Sequence, residues 1–260
     1  IRESVRTRAM SMVGMSIGLT FALSLVAAPL LVSVIGMPGL FVLTGVSMLL
    51  AMFAVYKYVP DPEKNTSTNR MPALKIALQA QLWRLNYGIF ALHAAQMALF
   101  ISLPFLFLQM GIAQDMQWKV YAPMVLFGMV LMVPVIIFGE KKHKLKQTLL
   151  FAIAMMVVAQ TILAVKHDMV LAMTVALVIY AIAFNVLEAI LPSMVAKFAP
   201  AEQRGAAMGF YSTAQSIGLF VGGVAGGGLF SKFGFVGVFV FATVLMLVWW
   251  AIAVTGAAPK

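Results

Sequence analysis

Of the eight acidic residues in this 260-residue sequence, Glu188 alone falls inside an apolar stretch. Glu3, Asp61, Glu63, Asp115, Glu140, Asp168 and Glu202 all lie in connections or at the ends of stretches. An ionisable side chain in hydrocarbon is expensive unless paired or hydrated, so it marks a functional position by default. Two readings stay open for Glu188. One is a carboxylate that takes up and releases a proton during a working cycle; the other is a structural Glu hydrogen-bonded between helices near a gate. Asn185 lies one helical turn before it on the same face. His93 is the only histidine within an apolar stretch, since His143 and His167 fall in connections. It suits a proton relay, or it is a packed histidine bonded to neighbouring backbone. Gln96 and Phe100 extend its face. A third polar group follows at Tyr211, Ser212, Gln215 and Ser216, of which Tyr211 and Gln215 are candidates to face a cavity. Six glycines follow, at Gly218, Gly222, Gly223, Gly226, Gly227 and Gly228. These allow close helix packing and sliding. They do not make a phosphate loop, because no strand precedes them.

Other chemistries have little support. There is no H-E-x-x-H run, nucleophile elbow or Walker loop. Cysteine is absent, which excludes disulfides and thiolate metal sites. No metal and no cofactor are expected. An integral-membrane enzyme using His93 and Glu188 as acid and base is an alternative. It is disfavoured because the polar groups are spread singly over separate stretches.

The elements that must position these residues are set by composition. The sequence is 63% apolar and 10% charged, with a mean hydropathy of +1.00. Soluble domains carry about 25% charged residues, so the solvent for this chain is lipid. The net charge of +10 reads as membrane topology rather than nucleic-acid binding, because the basic residues sit between apolar stretches. The chain opens at Ile1 without an initiator Met or a signal peptide, and it is expected to be part of a longer protein.

Eight apolar segments are each long enough to span roughly 30 Å of hydrocarbon as helices. They lie near 9–34, 39–59, 85–109, 120–139, 147–165, 169–195, 207–231 and 235–254. With the N-terminus placed in the cytoplasm, fifteen of the eighteen Lys and Arg residues fall in cytoplasmic connections and tails. The three others, Lys119, Lys166 and Lys232, fall in outer loops. This alternation predicts eight spans with both present ends cytoplasmic. On that topology Glu188 and His93 lie roughly 8 Å and 6 Å to the cytoplasmic side of mid-helix.

The longest connection starts with the breaker-rich run Pro60-Asp61-Pro62-Glu63-Lys64-Asn65. Leu74, Leu78, Leu82 and Leu85 then predict a short amphipathic helix at the cytoplasmic surface. The expected division is therefore 1–60, a linker at 61–84, and a six-helix bundle at 85–260. An internal echo agrees with it. Arg6-Thr7-Arg8-Ala9-Met10 and Arg204-Gly205-Ala206-Ala207-Met208 share R-x-x-A-M, and each leads into a helix rich in Gly and Ser. The two helices are six apart, the plan of parallel six-helix repeats.

Three stretches carry a family resemblance: Trp118-Lys119-Val120-Tyr121, Phe184 to Ser193 through Asn185 and Glu188, and Gly205 to Gln215. Through them and along its length the chain resembles the major facilitator superfamily, in its drug:proton antiporter branch. Where the antiporter motif ends in Gly-Pro, this chain has Ala28-Pro29. The resemblance implies an all-α integral membrane protein with the major facilitator fold, of which helices five to twelve are present. It also implies proton-coupled export and a bacterial inner-membrane location. Glu140, Lys141, Lys142 and Lys144, in the cytoplasmic loop ending at Lys146, match the second-half copy of the family's charged loop. There such charges latch one conformation; otherwise they are topology signals only. Arg204 joins this cytoplasmic charged set.

The expected function is secondary transport of small lipophilic compounds in exchange for protons. The alternative within transport is uptake of a polar metabolite such as a sugar. Twenty Met and nineteen Phe suit a cavity that adapts to varied apolar molecules. Phe100, Phe105 and Phe107 are candidates for its wall. The expected partners are the lipid bilayer, a small-molecule substrate and protons, with no nucleic acid, and the protein is expected to be a monomer.

Overall fold

A backbone inside hydrocarbon must satisfy its own hydrogen bonds, and a helix does so within one segment. The computed structural model, which describes residues 3–59, 75–76, 78–142 and 144–258, is helical throughout its elements. We number six long helices: α1 (Glu3–Tyr58), α2 (Ala80–Gln109), α3 (Trp118–Lys141), α4 (Leu145–Lys166), α5 (Val170–Phe198) and α6 (Arg204–Val254). Short 3-10 turns at Gln114–Met116 and Ala201–Gln203 lead into α3 and α6. All six long helices contain stretches long and apolar enough to cross a membrane. Within α1 the backbone leaves helical geometry at Gly36 (φ 67°), and within α6 at Gly234 (φ 63°). Both glycines fall in connections expected from the sequence, and positive φ is a conformation glycine adopts without a Cβ penalty.

Two sequence expectations need correction. The helix expected to begin near 85 begins at Ala80. Leu82 and Leu85 therefore belong to the first turns of α2 and are buried, at 1% and 5% exposure. They are not on a surface helix. The leucine spacing runs into the spanning helix without a phase break, so periodicity alone does not separate the two. Leu74 and the run 60–69 lie outside the described residues. Phe107 is the second correction: it is fully buried in the core, edge-on to Tyr121 at 5.2 Å, and lines no cavity wall.

The core lies among α2 to α6. Packing is most extensive between α2 and α6, and glycine explains why. Gly218, Gly222 and Gly226 recur every fourth residue on α6 and press on the backbone of Phe90, Ala94 and Ala98 on α2. A Cβ at any of the three would collide with that backbone, so these two helices approach as small-residue helices do in membranes. Further along the same pair, Gly88 on α2 makes room for the buried ring of Trp249. Gly128 on α3 meets the backbone of Ala181 on α5 in the same way. By contrast, no described side chain of α1 is buried.

Candidate functional site

The close approach of α2 and α6 sets the site. One turn before Gly218, Gln215 projects from α6 onto His93 of α2, with its Nε2 2.7 Å from the ring Nε2. The other ring nitrogen, Nδ1, lies 3.2 Å from the Ile89 carbonyl oxygen one turn back on α2. Together these contacts define one tautomer: Nδ1–H donates to Ile89, and Nε2 accepts from the Gln215 amide. His93 is buried, at 5% exposure.

The third helix is α5. Glu188 brings its Oε1 to 3.5 Å from the same His93 Nε2. That is ion-pair range but too long for a hydrogen bond. The Glu188 side chain keeps 31% exposure, yet Oε1 itself is buried without a hydrogen-bond partner. Phe184, one turn before Glu188, sets its ring edgewise on the imidazole at 5.9 Å. Tyr180 stacks on Phe184 in turn, at 5.8 Å. Tyr211, on α6, is buried.

His93 Nε2 therefore faces two groups of different character. While Nε2 is bare, the Gln215 amide donates to it. The Glu188 carboxylate stands in ion-pair range of the same atom.

Other sequence candidates stand apart from this cluster. Asn185 is half-buried and donates to the Ala181 carbonyl of its own helix at 2.7 Å. Gln96 is half-buried. Phe100 packs on Tyr121 at 5.9 Å, and the half-exposed Phe105 stacks on Phe230 at 5.1 Å. Lys141, Lys142 and Lys144 are exposed and Glu140 is half-buried. Arg204 begins α6 with its Nε buried and unpartnered. Two surface grooves of about 450 and 400 Å³ lie away from His93 and Glu188.

Within the basic run 141–146, Lys146 reaches another helix with its side chain, and nothing in the sequence distinguishes it from the lysines beside it. Its Nζ donates to the carbonyls of Val254 (2.9 Å) and Gly256 (2.5 Å) at the end of α6. Arg84 Nε donates to Thr255 Oγ1 at 3.2 Å, and the Ala257 amide donates to Gln81 Oε1 at 3.2 Å. Lysine at the unsatisfied carbonyls of a helix C-terminus is a recognised capping pattern. It is invisible until α4 and α6 are known to meet.

The sequence profile of the Major Facilitator Superfamily matches residues 1–147 and 140–259. The chain belongs to the major facilitator superfamily. Among similar proteins of this superfamily is the inner membrane transport protein YajR of Escherichia coli K12. It is 34% identical over 264 residues, covering 99% of this chain and 58% of YajR. An uncharacterized transporter of Buchnera aphidicola subsp. Acyrthosiphon pisum is 28% identical over 228 residues, covering 85% of this chain and 58% of its own length. Another, from Buchnera aphidicola subsp. Baizongia pistaciae, is 26% identical over 257 residues, covering 94% and 64%. The chain thus spans about 58–64% of these relatives. All three are named as transporters or transport proteins.

Proposed function

We propose that the chain is part of a secondary active transporter that exports small lipophilic compounds in exchange for protons, by alternating access. The observation that carries this reading is the meeting of His93 and Glu188 across α2 and α5, with Gln215 of α6 as third member. Two titratable groups joined by an exchangeable contact between helices can couple proton binding to helix rearrangement. Protons would move inward through this cluster as compound moves outward. YajR is named an inner membrane transport protein, which supports an inner-membrane location here as well.

The same reading includes eight spans. At 1.5 Å per residue the 51 residues of α6 would extend about 76 Å, far more than a hydrocarbon core of about 30 Å. Division at Gly234 gives two helices of spanning length, and Gly36 divides α1 likewise. The spans correspond to helices five to twelve of the twelve-helix fold. The first two belong to an N-terminal bundle, the linker follows, and a complete C-terminal bundle starts at Ala80. Both present ends are cytoplasmic, and the transporter works as a monomer.

The test is flux in proteoliposomes of the full-length transporter, with ethidium as a lipophilic probe and an imposed pH gradient. Wild type should drive ethidium uphill against the proton flow. Glu188→Gln should lower that flux on the order of a hundredfold, the scale of a positioned proton-transfer group. Undiminished proton-driven flux in Glu188→Gln would remove Glu188 as the coupling site. Gradient-driven movement of a sugar, with no ethidium movement, would replace export by metabolite uptake.

A further inference from the structure

Beyond the His93–Glu188 cluster, two polar side chains sit deep in the bundle with no protein partner. Gln160 on α4 is fully buried, and neither its Oε1 nor its Nε2 makes a hydrogen bond. Tyr180 on α5 is 2% exposed, and its hydroxyl is likewise unpartnered. Most buried polar atoms in folded proteins are paired with protein or with ordered water. Their neighbours along each helix are apolar: Met156, Ala159 and Leu163 flank Gln160, and Ala176, Leu177 and Ala183 flank Tyr180, all buried.

By helix rise alone, the two residues stand at comparable heights in the bundle. Only residues 167–169 separate α4 from α5, so the helices run antiparallel as packed neighbours. Gln160 lies six residues before the end of α4, about 9 Å from the connection, and Tyr180 ten residues into α5, about 15 Å from it. Helical side chains lean toward the N-terminus of their own helix. Gln160 therefore leans away from the connection and Tyr180 toward it, which closes the difference in height.

Tyr180 also adjoins the functional cluster. It stacks on Phe184, whose ring meets His93. We propose that Gln160 and Tyr180 hold buried water between α4 and α5, and that this water carries protons between the Glu188 cluster and the end of the bundle at the α4–α5 connection. A buried water needs two to four polar partners; the Gln160 amide offers an acceptor and a donor, and the Tyr180 hydroxyl offers both. The transfer is a proton hop along hydrogen bonds. Each water accepts one proton and releases another, so no net charge stays on Tyr180 or Gln160. The second half of the proposal rests on the proton-coupled reading above; the water site itself does not.

Radiolytic hydroxyl-radical footprinting of the full-length transporter tests the site independently of transport. Radicals form from bound water, so Tyr180 should be modified much faster than the equally buried Phe239, and Gln160→Leu should abolish the difference. Tyr180 reacting no faster than Phe239, or reacting equally in Gln160→Leu, overturns the site. The transport arm uses Tyr180→Phe and Gln160→Leu in the ethidium assay. Each should lower pH-gradient-driven flux on the order of a hundredfold, the low end for a proton-transfer group, while gradient-free ethidium exchange stays near wild type. Gradient-driven flux at the wild-type rate in both variants overturns the path. Glu188→Gln runs beside them. If it retains gradient-driven flux, the coupling reading fails, and footprinting still decides whether water is bound.

Discussion

At His93 the chemistry depends on one nitrogen with two claimants. Gln215 reaches Nε2 at 2.7 Å and Glu188 at 3.5 Å, and on the proposed reading a proton on that nitrogen couples the two. His93→Asn and Glu188→Gln should therefore not add. A double-mutant cycle on proton-driven ethidium flux should give a coupling of about 0.5–3 kcal/mol, the range for residues in one network. Additivity within about 0.5 kcal/mol, as for distant sites, would show the two groups acting separately. The pair itself is visible in the sequence. Both residues lie at similar depth on their helices, and depth follows from the rise per residue alone. Rotation about the helix axis does not. Asn185 shares a face with Glu188, yet its short amide bonds back to the Ala181 carbonyl, the local competition that side chains of this type offer. Gln160 gives no signal at all, because an isolated amide on an apolar helix looks the same whether it faces lipid or core.

The helices owe their spacing to a glycine register, and the sequence shows six glycines without saying which of them matter. Only contact with α2 sorts them. Gly222 lies against the Ala94 backbone, whereas a Cβ at Gly227 would meet nothing within 4 Å. Gly222→Val should push α6 away from α2, costing about 1–3 kcal/mol as an overpacked core does. It should also break the hydrogen bond from Gln215 to His93, two turns away on the same face. Gly227→Ala should stay within about 0.5 kcal/mol of wild type, as open surface positions do. Thermal midpoints in detergent compare the two. Equal effects would mean that the α2–α6 approach does not depend on this register. The start of α2 at Ala80 has a related lesson. Leu78, Leu82 and Leu85 share one period, and neither Pro nor Gly lies between them to mark where a surface segment stops and a spanning helix begins.

Across the whole molecule, charge decides orientation. Fifteen of eighteen Lys and Arg residues fall on one side of the proposed membrane, and an apolar share of 63% is enough by itself to make the fold class plain. The side on which each connection lies is a separate claim, and the absence of cysteine makes it directly measurable. A single Lys144→Cys substitution falls between α3 and α4, and a single Lys166→Cys substitution falls at the end of α4. Both replace lysines with no salt bridge in the described structure, so neither should disturb packing. In intact cells producing the full-length transporter, an impermeant maleimide should label Lys166→Cys and spare Lys144→Cys. In inverted membrane vesicles the pattern should reverse. Since α4 crosses once between the two positions, labelling of both from one side would mean that α4 does not span. Labelling of Lys144→Cys alone in intact cells would invert the topology. The proposed proton path would then open on the opposite face, since Glu188 lies nearer the C-terminal end of α5 and Tyr180 nearer its start.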